Sequence, residues 1–126
     1  MFLEKQHHIA IIATDYSKSK EFYVDKLGFE VVSEAYRPER DDYLRMLRKG
    51  ETILELFIEP DAPARVTNPE ALGLRHLAFY EKDMEAAVAW LNSMGIETDP
   101  IKEDKANGGR YTFFRDPDGL PLELHD

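Results

Sequence analysis

The sequence predicts an α+β fold made of two βαβββ modules. Three observations predict it. Each half reads as a strand, a helix and about three further strands. A set of apolar and polar letters recurs at an offset of 68 residues, and each helical pattern runs into a glycine. The expected layout is one domain over residues 1–126, with a module at 5–59, a linker at 60–73 and a module at 74–126.

Residues 8–13 (HIAIIA) are short, apolar and isoleucine-rich, as in a buried strand. Thr14 and Asp15 supply capping oxygens for a helix over 17–27. Phe22, Tyr23 and Leu27 form its apolar stripe, and Gly28 suits the position after its end. Residues 29–32, 43–47 and 52–58 read as three strands, the last two joined by a tight turn at Lys49-Gly50-Glu51. Residues 59–73 carry three of the seven prolines and read as a connection.

The pattern then restarts. Residues 74–80 read as a strand and 83–95 as a helix, capped by Asp83 and closed by Gly95. Ala87, Val88, Leu91 and Met94 recur along that helix at helical spacing. Residues 96–98 form a short strand, 102–109 a polar loop, and 110–116 and 120–125 the last two strands around an Asp-Pro-Asp-Gly turn. Trp90 and Tyr23 are expected in the core.

Composition narrows the function classes. The chain has 126 residues, enough to bury about two-thirds of its unfolded surface. It has no cysteine, which excludes disulfides, thiolate metal sites and a cysteine nucleophile. Sixteen Lys and Arg against 25 Asp and Glu give a net charge of -9. That balance argues against nucleic acid and anionic membrane as partners, since both bind through basic surfaces. No apolar run approaches a membrane span of roughly 20 residues. The expected setting is cytoplasmic and the expected partner a small molecule.

Superposing residue n on n+68 sets His8-Ile9-Ala10-Ile11 on His76-Leu77-Ala78-Phe79, Asp15 on Asp83, and Leu54-Glu55-Leu56 on Leu122-Glu123-Leu124. A histidine therefore opens the first strand of each module, and a glutamate lies inside the last. Strand residues alternate between faces, so His7 and His8 cannot serve the same site. The repeat selects His8. Taken singly, a histidine or glutamate in a strand is ordinarily a packing or surface residue. Four at equivalent positions of two repeats call for one explanation. If the leucines face the core, Glu55 and Glu123 face the opposite side, where a carboxylate is costly unless paired or bound to a cation. His8, Glu55, His76 and Glu123 together suit a divalent metal: Ni, Co or Zn first, with Mn and Fe(II) also compatible.

The paired modules, the H-I-A-I and H-L-A-F strand starts and the D-P-D-G-x-x-x-E-L ending resemble the vicinal oxygen chelate superfamily. That superfamily includes glyoxalase I, extradiol dioxygenases, fosfomycin-resistance proteins, methylmalonyl-CoA epimerase and bleomycin-binding proteins. The resemblance implies a glyoxalase-like fold, a curved mixed sheet around a metal, and a homodimer. The ligand pattern is most similar to that of bacterial glyoxalase I, or lactoylglutathione lyase, which uses His, Glu, His, Glu. By that resemblance the chain is a lyase that converts a methylglyoxal–thiol hemithioacetal to a hydroxyacyl thioester. Glu123 is then the catalytic base and Glu55 its pseudo-symmetric partner. Lys105 and Arg110, in and after the 102–109 loop, are candidate substrate contacts.

There are departures from that pattern. Ile12 stands where glutathione-dependent glyoxalase I has an arginine, and Glu59 where it has an asparagine. Both argue against glutathione as the thiol. Arg37, Arg40 and Arg45 are further cations, each ordinarily a solubilising charge. An epimerase, extradiol dioxygenase or thiol transferase of the same superfamily is the alternative, or a non-catalytic binding module. His125 shares a face with Glu123 but reads as a fraying terminus. Tyr80, Tyr111, Phe113 and Phe57 are candidates to line the cup.

Overall fold

The computed structural model describes residues 1–126. The chain divides into two compact units, Met1–Pro63 and Ala64–Asp126. Each carries a strand, a helix and three more strands, as the repeat predicts. In the first unit these are β1 (Ile9–Ala13), α1 (Tyr16–Lys20, continuing as a π-helical stretch, Glu21–Lys26), β2 (Glu30–Arg37), β3 (Asp42–Lys49) and β4 (Thr52–Ile58). In the second they are β5 (Leu77–Tyr80), α2 (Met84–Ser93), β6 (Lys102–Glu103), β7 (Arg110–Arg115) and β8 (Pro121–His125). Hydrogen bonding makes two four-stranded sheets, one per unit, rather than a single continuous one. Their orders are β1-β4-β3-β2 and β5-β8-β7-β6. In each, the first and last strands of the module pair in parallel and the other pairings are antiparallel.

Register repeats with topology. Ala10 pairs with Glu55, and Ala78 with Glu123. One face of β4 is closed: Leu54 and Leu56 are fully buried, as is Leu47 on β3. Burying each such side chain contributes roughly 1.5–3 kcal/mol. Ile11 and Ala13 share that burial on β1, while Ala10 and Ile12 on its other face are exposed. The apolar run at residues 8–13 is therefore buried on one face only.

The helix after β1 ends differently from the expected α-helix. The Asp15 side chain accepts from the Lys18 amide, as a cap should. From Glu21 the spiral widens, and the Leu27 amide donates to the Phe22 carbonyl five residues back. The wider turn brings Phe22, Tyr23 and Leu27 into the core together. In the second unit Asp83 caps α2 through the Ala86 amide, and Met84 and Leu91 are buried. Gly28 and Gly95, at φ +85 and +77, close the two helices as predicted.

Several boundaries move. β2 extends to Arg37, past the last valine, because pairing with β3 carries it through exposed polar residues and a register shift between Val31 and Ser33. No strand forms at 96–98. Ile96 is buried, its amide donating to the Leu91 carbonyl, and the edge pairing falls later at β6. Trp90 is 44% exposed, so it is not the core aromatic expected; Tyr23 is, at 0%.

Candidate functional site

β4 and β8 place their glutamates by alternation. Leucines on both sides of each glutamate are committed to the core, so Glu55 and Glu123 project to the other face. The parallel neighbours there are Ala10 and Ala78, small side chains that leave the space beside each carboxylate open. His8 and His76 lie two residues before those alanines, just ahead of β1 and β5. Each histidine therefore meets the glutamate of its own module. His76 Nε2 lies 2.9 Å from Glu123 Oε2, and His8 Nε2 lies 3.8 Å from Glu55 Oε1.

The two pairs differ in their surroundings. Glu123 is buried, its side chain 10% exposed, and its ion-pair partner is His76 alone. The Glu55 side chain is 18% exposed. The His76 ring stands edge-on to Phe113 at 5.0 Å, and its Nδ1 is 3.1 Å from Arg75 Nη1. His8 Nδ1 instead faces the Nδ1 of exposed His7 at 2.9 Å. In both pairs Nε2 is the nitrogen turned toward the carboxylate.

Each pair offers one imidazole nitrogen and one carboxylate oxygen. These are donors of the type that hold borderline divalent cations. A buried carboxylate opposed by an imidazole rather than by Lys or Arg is also the environment that favours a cation. Each unit supplies one such pair, and no three His, Asp or Glu side chains gather into a metal-sized group.

The second unit holds a further arrangement, at the 102–109 loop. An open cleft of about 630 Å³ is lined by Lys102, Glu103, Asp104, Lys105, Ala106 and Tyr111. Lys105, a candidate substrate contact, is among the residues lining this cleft. Arg110 is engaged otherwise: its guanidinium meets Glu85 on α2 and the Asp126 carboxylate. That leaves Lys102 and Lys105 as the cations of the cleft. Glu85 and Asp126 are both held below the usual carboxylate range, chiefly by their bonds from Arg110.

His125 is not a frayed end. It pairs with Tyr111 in the β7–β8 ladder, and its Nε2 is 2.9 Å from Asp104 Oδ2. The His125 bond draws the Asp104 carboxyl down to about 2, helped by the Asn107 and Ala106 amides. Asp104 in turn raises the imidazole. Gly109 makes the closure possible: at φ +78, a Cβ there would come within 2.6 Å of Asp126 Oδ1.

Of the other predicted cations, Arg37 pairs with Asp42 and lies 4.7 Å over the Phe57 ring. Arg45 pairs with Glu34 at 3.4 Å and stacks on Tyr16. Ile12, where an arginine was sought, is 56% exposed, and Tyr80 is 78% exposed. Sequence reading missed Arg75 and Asp104. Nothing in the one-dimensional pattern marks a residue next to a ligand candidate, or one 21 positions from its histidine partner.

The resemblance read from the motifs is matched by comparison with known proteins. Residues 5–124 match the model of the Glyoxalase/Bleomycin resistance protein/Dioxygenase superfamily. Uncharacterized protein YwkD of Bacillus subtilis (strain 168) is 55% identical, over 100% of this chain and 99% of that protein. The crystal structure of a glyoxalase family protein from Enterococcus faecalis superposes with a TM-score of 0.97 at 53% identity, covering 100% of both chains. The trypanothione-dependent glyoxalase I of Leishmania major is more distant, with a TM-score of 0.72 at 26% identity, covering 97% of this chain and 86% of that one. The chain belongs to the Glyoxalase/Bleomycin resistance protein/Dioxygenase superfamily.

Proposed function

We propose that the chain is a glyoxalase I-like metalloenzyme that converts a methylglyoxal–thiol hemithioacetal to a hydroxyacyl thioester. The observation that carries this reading is the buried Glu123 carboxylate 2.9 Å from His76 Nε2, repeated as Glu55 and His8 in the first unit. His8, Glu55, His76 and Glu123 would hold the cation, with Ni, Co or Zn favoured by the mixed N/O donors. When bound, a divalent ion supplies electrostatic stabilisation for negative charge developing on two neighbouring substrate oxygens.

Glu123 takes the proton from the carbon bearing sulfur and returns it to the adjacent carbon. The C–S bond persists, and the change is an isomerisation that needs no outside oxidant. Burial suits Glu123 to that exchange, because a carboxylate screened from water keeps the proton it has taken. Glu55 occupies the equivalent place in the first unit. Lys105 and Lys102 are placed to attract an anionic portion of the thiol, with Arg110 holding the end of their loop. The two donor pairs are brought to one ion in a homodimer, in which His8 and Glu55 of one protomer meet His76 and Glu123 of the other.

The test is turnover of methylglyoxal with a panel of thiols by metal-loaded protein, beside Glu123→Gln. The expected result is thioester formation by the parent, and at least a hundredfold loss in the variant. Thioester formation unchanged in Glu123→Gln would overturn the assignment of the base. Absence of product from every thiol would overturn the reaction.

A further inference from the structure

We propose that Arg75 is a specificity-determining residue that grips a carboxylate of the substrate beside the His76–Glu123 pair. The role in turnover rests on the reaction proposed above; the contact itself rests on geometry. Arg75 is the exposed residue immediately before His76, two positions ahead of β5. Its main chain is pinned, since Arg65 Nη2 donates to the Arg75 carbonyl at 2.7 Å and to Leu74 at 3.5 Å. Arg65 is itself held by Glu70 at 3.1 Å. The Arg75 guanidinium therefore starts from a fixed backbone.

It is directed to the donor face. Nη1 lies 3.1 Å from His76 Nδ1, and Cζ lies 5.9 Å from the centre of the Phe113 ring. Phe113 is the ladder partner of Glu123, so cation, ring, imidazole and carboxylate share one end of this sheet. Five other arginines are neutralised by carboxylates: Arg37 by Asp42, Arg45 by Glu34, Arg65 by Glu70, Arg110 by Glu85 and Arg115 by Asp99. Arg40, Arg48 and Arg75 have no carboxylate within ion-pair distance, and of these three Arg75 is the one whose guanidinium meets His76. In a chain of net charge -9, an unmatched guanidinium beside the His76 imidazole is an anion receptor in want of an anion.

The receptor fits a carboxylate in particular. The guanidinium fork matches two coplanar oxygens. A single positive charge next to Glu123 also balances one negative charge better than the two of a phosphate monoester. Phe113 leads on to Tyr111 at 5.8 Å and then to the 102–109 cleft. The ligand class is therefore a monocarboxylate whose apolar or thioether body lies along Phe113 and Tyr111.

The test is binding to zinc-loaded full-length protein, followed by two-dimensional amide NMR. The probes are 3-(methylthio)propionate, its methyl ester and methyl phosphate. The proteins are the parent, Arg75→Gln and Arg75→Lys, with unchanged spectra away from the site confirming that the variants fold. We expect the acid to bind the parent about tenfold more tightly than Arg75→Gln, with Arg75→Lys between them. We expect the ester to bind parent and Arg75→Gln alike. Equal affinity of the acid for parent and Arg75→Gln overturns the proposal, as does an ester that binds the parent as well as the acid. Methyl phosphate binding tighter than the acid overturns the ligand class. Hemithioacetal turnover is assayed separately with 3-mercaptopropionate and 2-mercaptoethanol. Failure of both, with the binding difference intact, sinks the proposed reaction and leaves the Arg75 contact standing.

Discussion

Replacing Glu123 by glutamine separates a carboxylate kept for chemistry from one kept for stability. The Glu123 side chain is 10% exposed and its ion-pair partner is one imidazole. Confining a charge there is unfavourable, so an amide of the same shape changes the metal-stripped protein by less than about 1 kcal/mol. Its neighbour Leu122 is fully buried, and Leu122→Ala costs roughly 2–5 kcal/mol with or without metal. Metal reverses the comparison. At a free concentration one hundred times its dissociation constant, a divalent ion stabilises the parent by about 2.7 kcal/mol. A hundredfold weaker site gains only about 0.4 kcal/mol at the same concentration. The assay is urea unfolding at fixed protomer concentration, with and without Ni²⁺ or Zn²⁺, for parent, Glu123→Gln and Leu122→Ala. A full metal-dependent gain in Glu123→Gln would remove Glu123 from the ligand set. Destabilisation of the metal-stripped Glu123→Gln protein as large as that of Leu122→Ala would make Glu123 a structural residue.

Three further outcomes follow from the geometry. By calorimetry His8→Ala weakens metal binding at least tenfold and His7→Ala leaves it within twofold, because only His8 turns Nε2 to Glu55; equal effects would refute the selection of His8 by the repeat. Gly109→Ala lowers stability by about 1–3 kcal/mol in thermal unfolding, since the new Cβ meets both a positive φ and Asp126; an unchanged midpoint would show that the loop end relaxes freely. The Asp104 carboxyl is drawn down to about 2 from 3.8, so its contribution is present above pH 3.8 and fades as pH falls toward 2. The urea midpoint of the parent minus that of Asp104→Asn should therefore be constant near pH 5 and shrink toward pH 2, and a difference that ignores pH would discard the His125–Asp104 bond.

What the sequence made legible is what repeats. Two modules, four strands in each and the equivalence of Ala10–Glu55 with Ala78–Glu123 were all implied by the offset of 68, because a duplicated fold reuses its register. The apolar letters were less reliable. They ended β2 at Val32, although its hydrogen bonds to β3 continue to Arg37, where backbone pairing needs no apolar side chain. They also made Ile96 a strand residue, when its burial comes from folding back under the end of α2. His125 looked like a loose end because sequence adjacency cannot show that Asp104 waits across the sheet. Arg110 looked free for the same reason, its partners Glu85 and Asp126 lying 25 and 16 residues away. Local order and register are written in spacing, whereas the pairing of charges over long loops is settled only by the fold.

The proposed sharing of the site between protomers can be decided by mixing two broken chains. One carries His8→Ala and Glu55→Gln, the other His76→Ala and Glu123→Gln. Alone, each lacks one donor pair in every site, wherever the pairs meet. Unfolding and refolding an equal mixture yields heterodimers as about half of all dimers. If a site is built from two protomers, each heterodimer has one site with all four native donors and one site with none. The mixture then regains about a quarter of the high-affinity metal sites of the parent. If the pairs meet within one chain, every site in the heterodimer still lacks a pair, and the mixture stays at the level of the separate variants. The readout is metal stoichiometry by calorimetry, so the result does not depend on turnover of any substrate. Recovery near a quarter establishes the shared site. No recovery, with heterodimers verified by mass, refutes it and requires the two donor pairs to meet within one chain if they form a single centre.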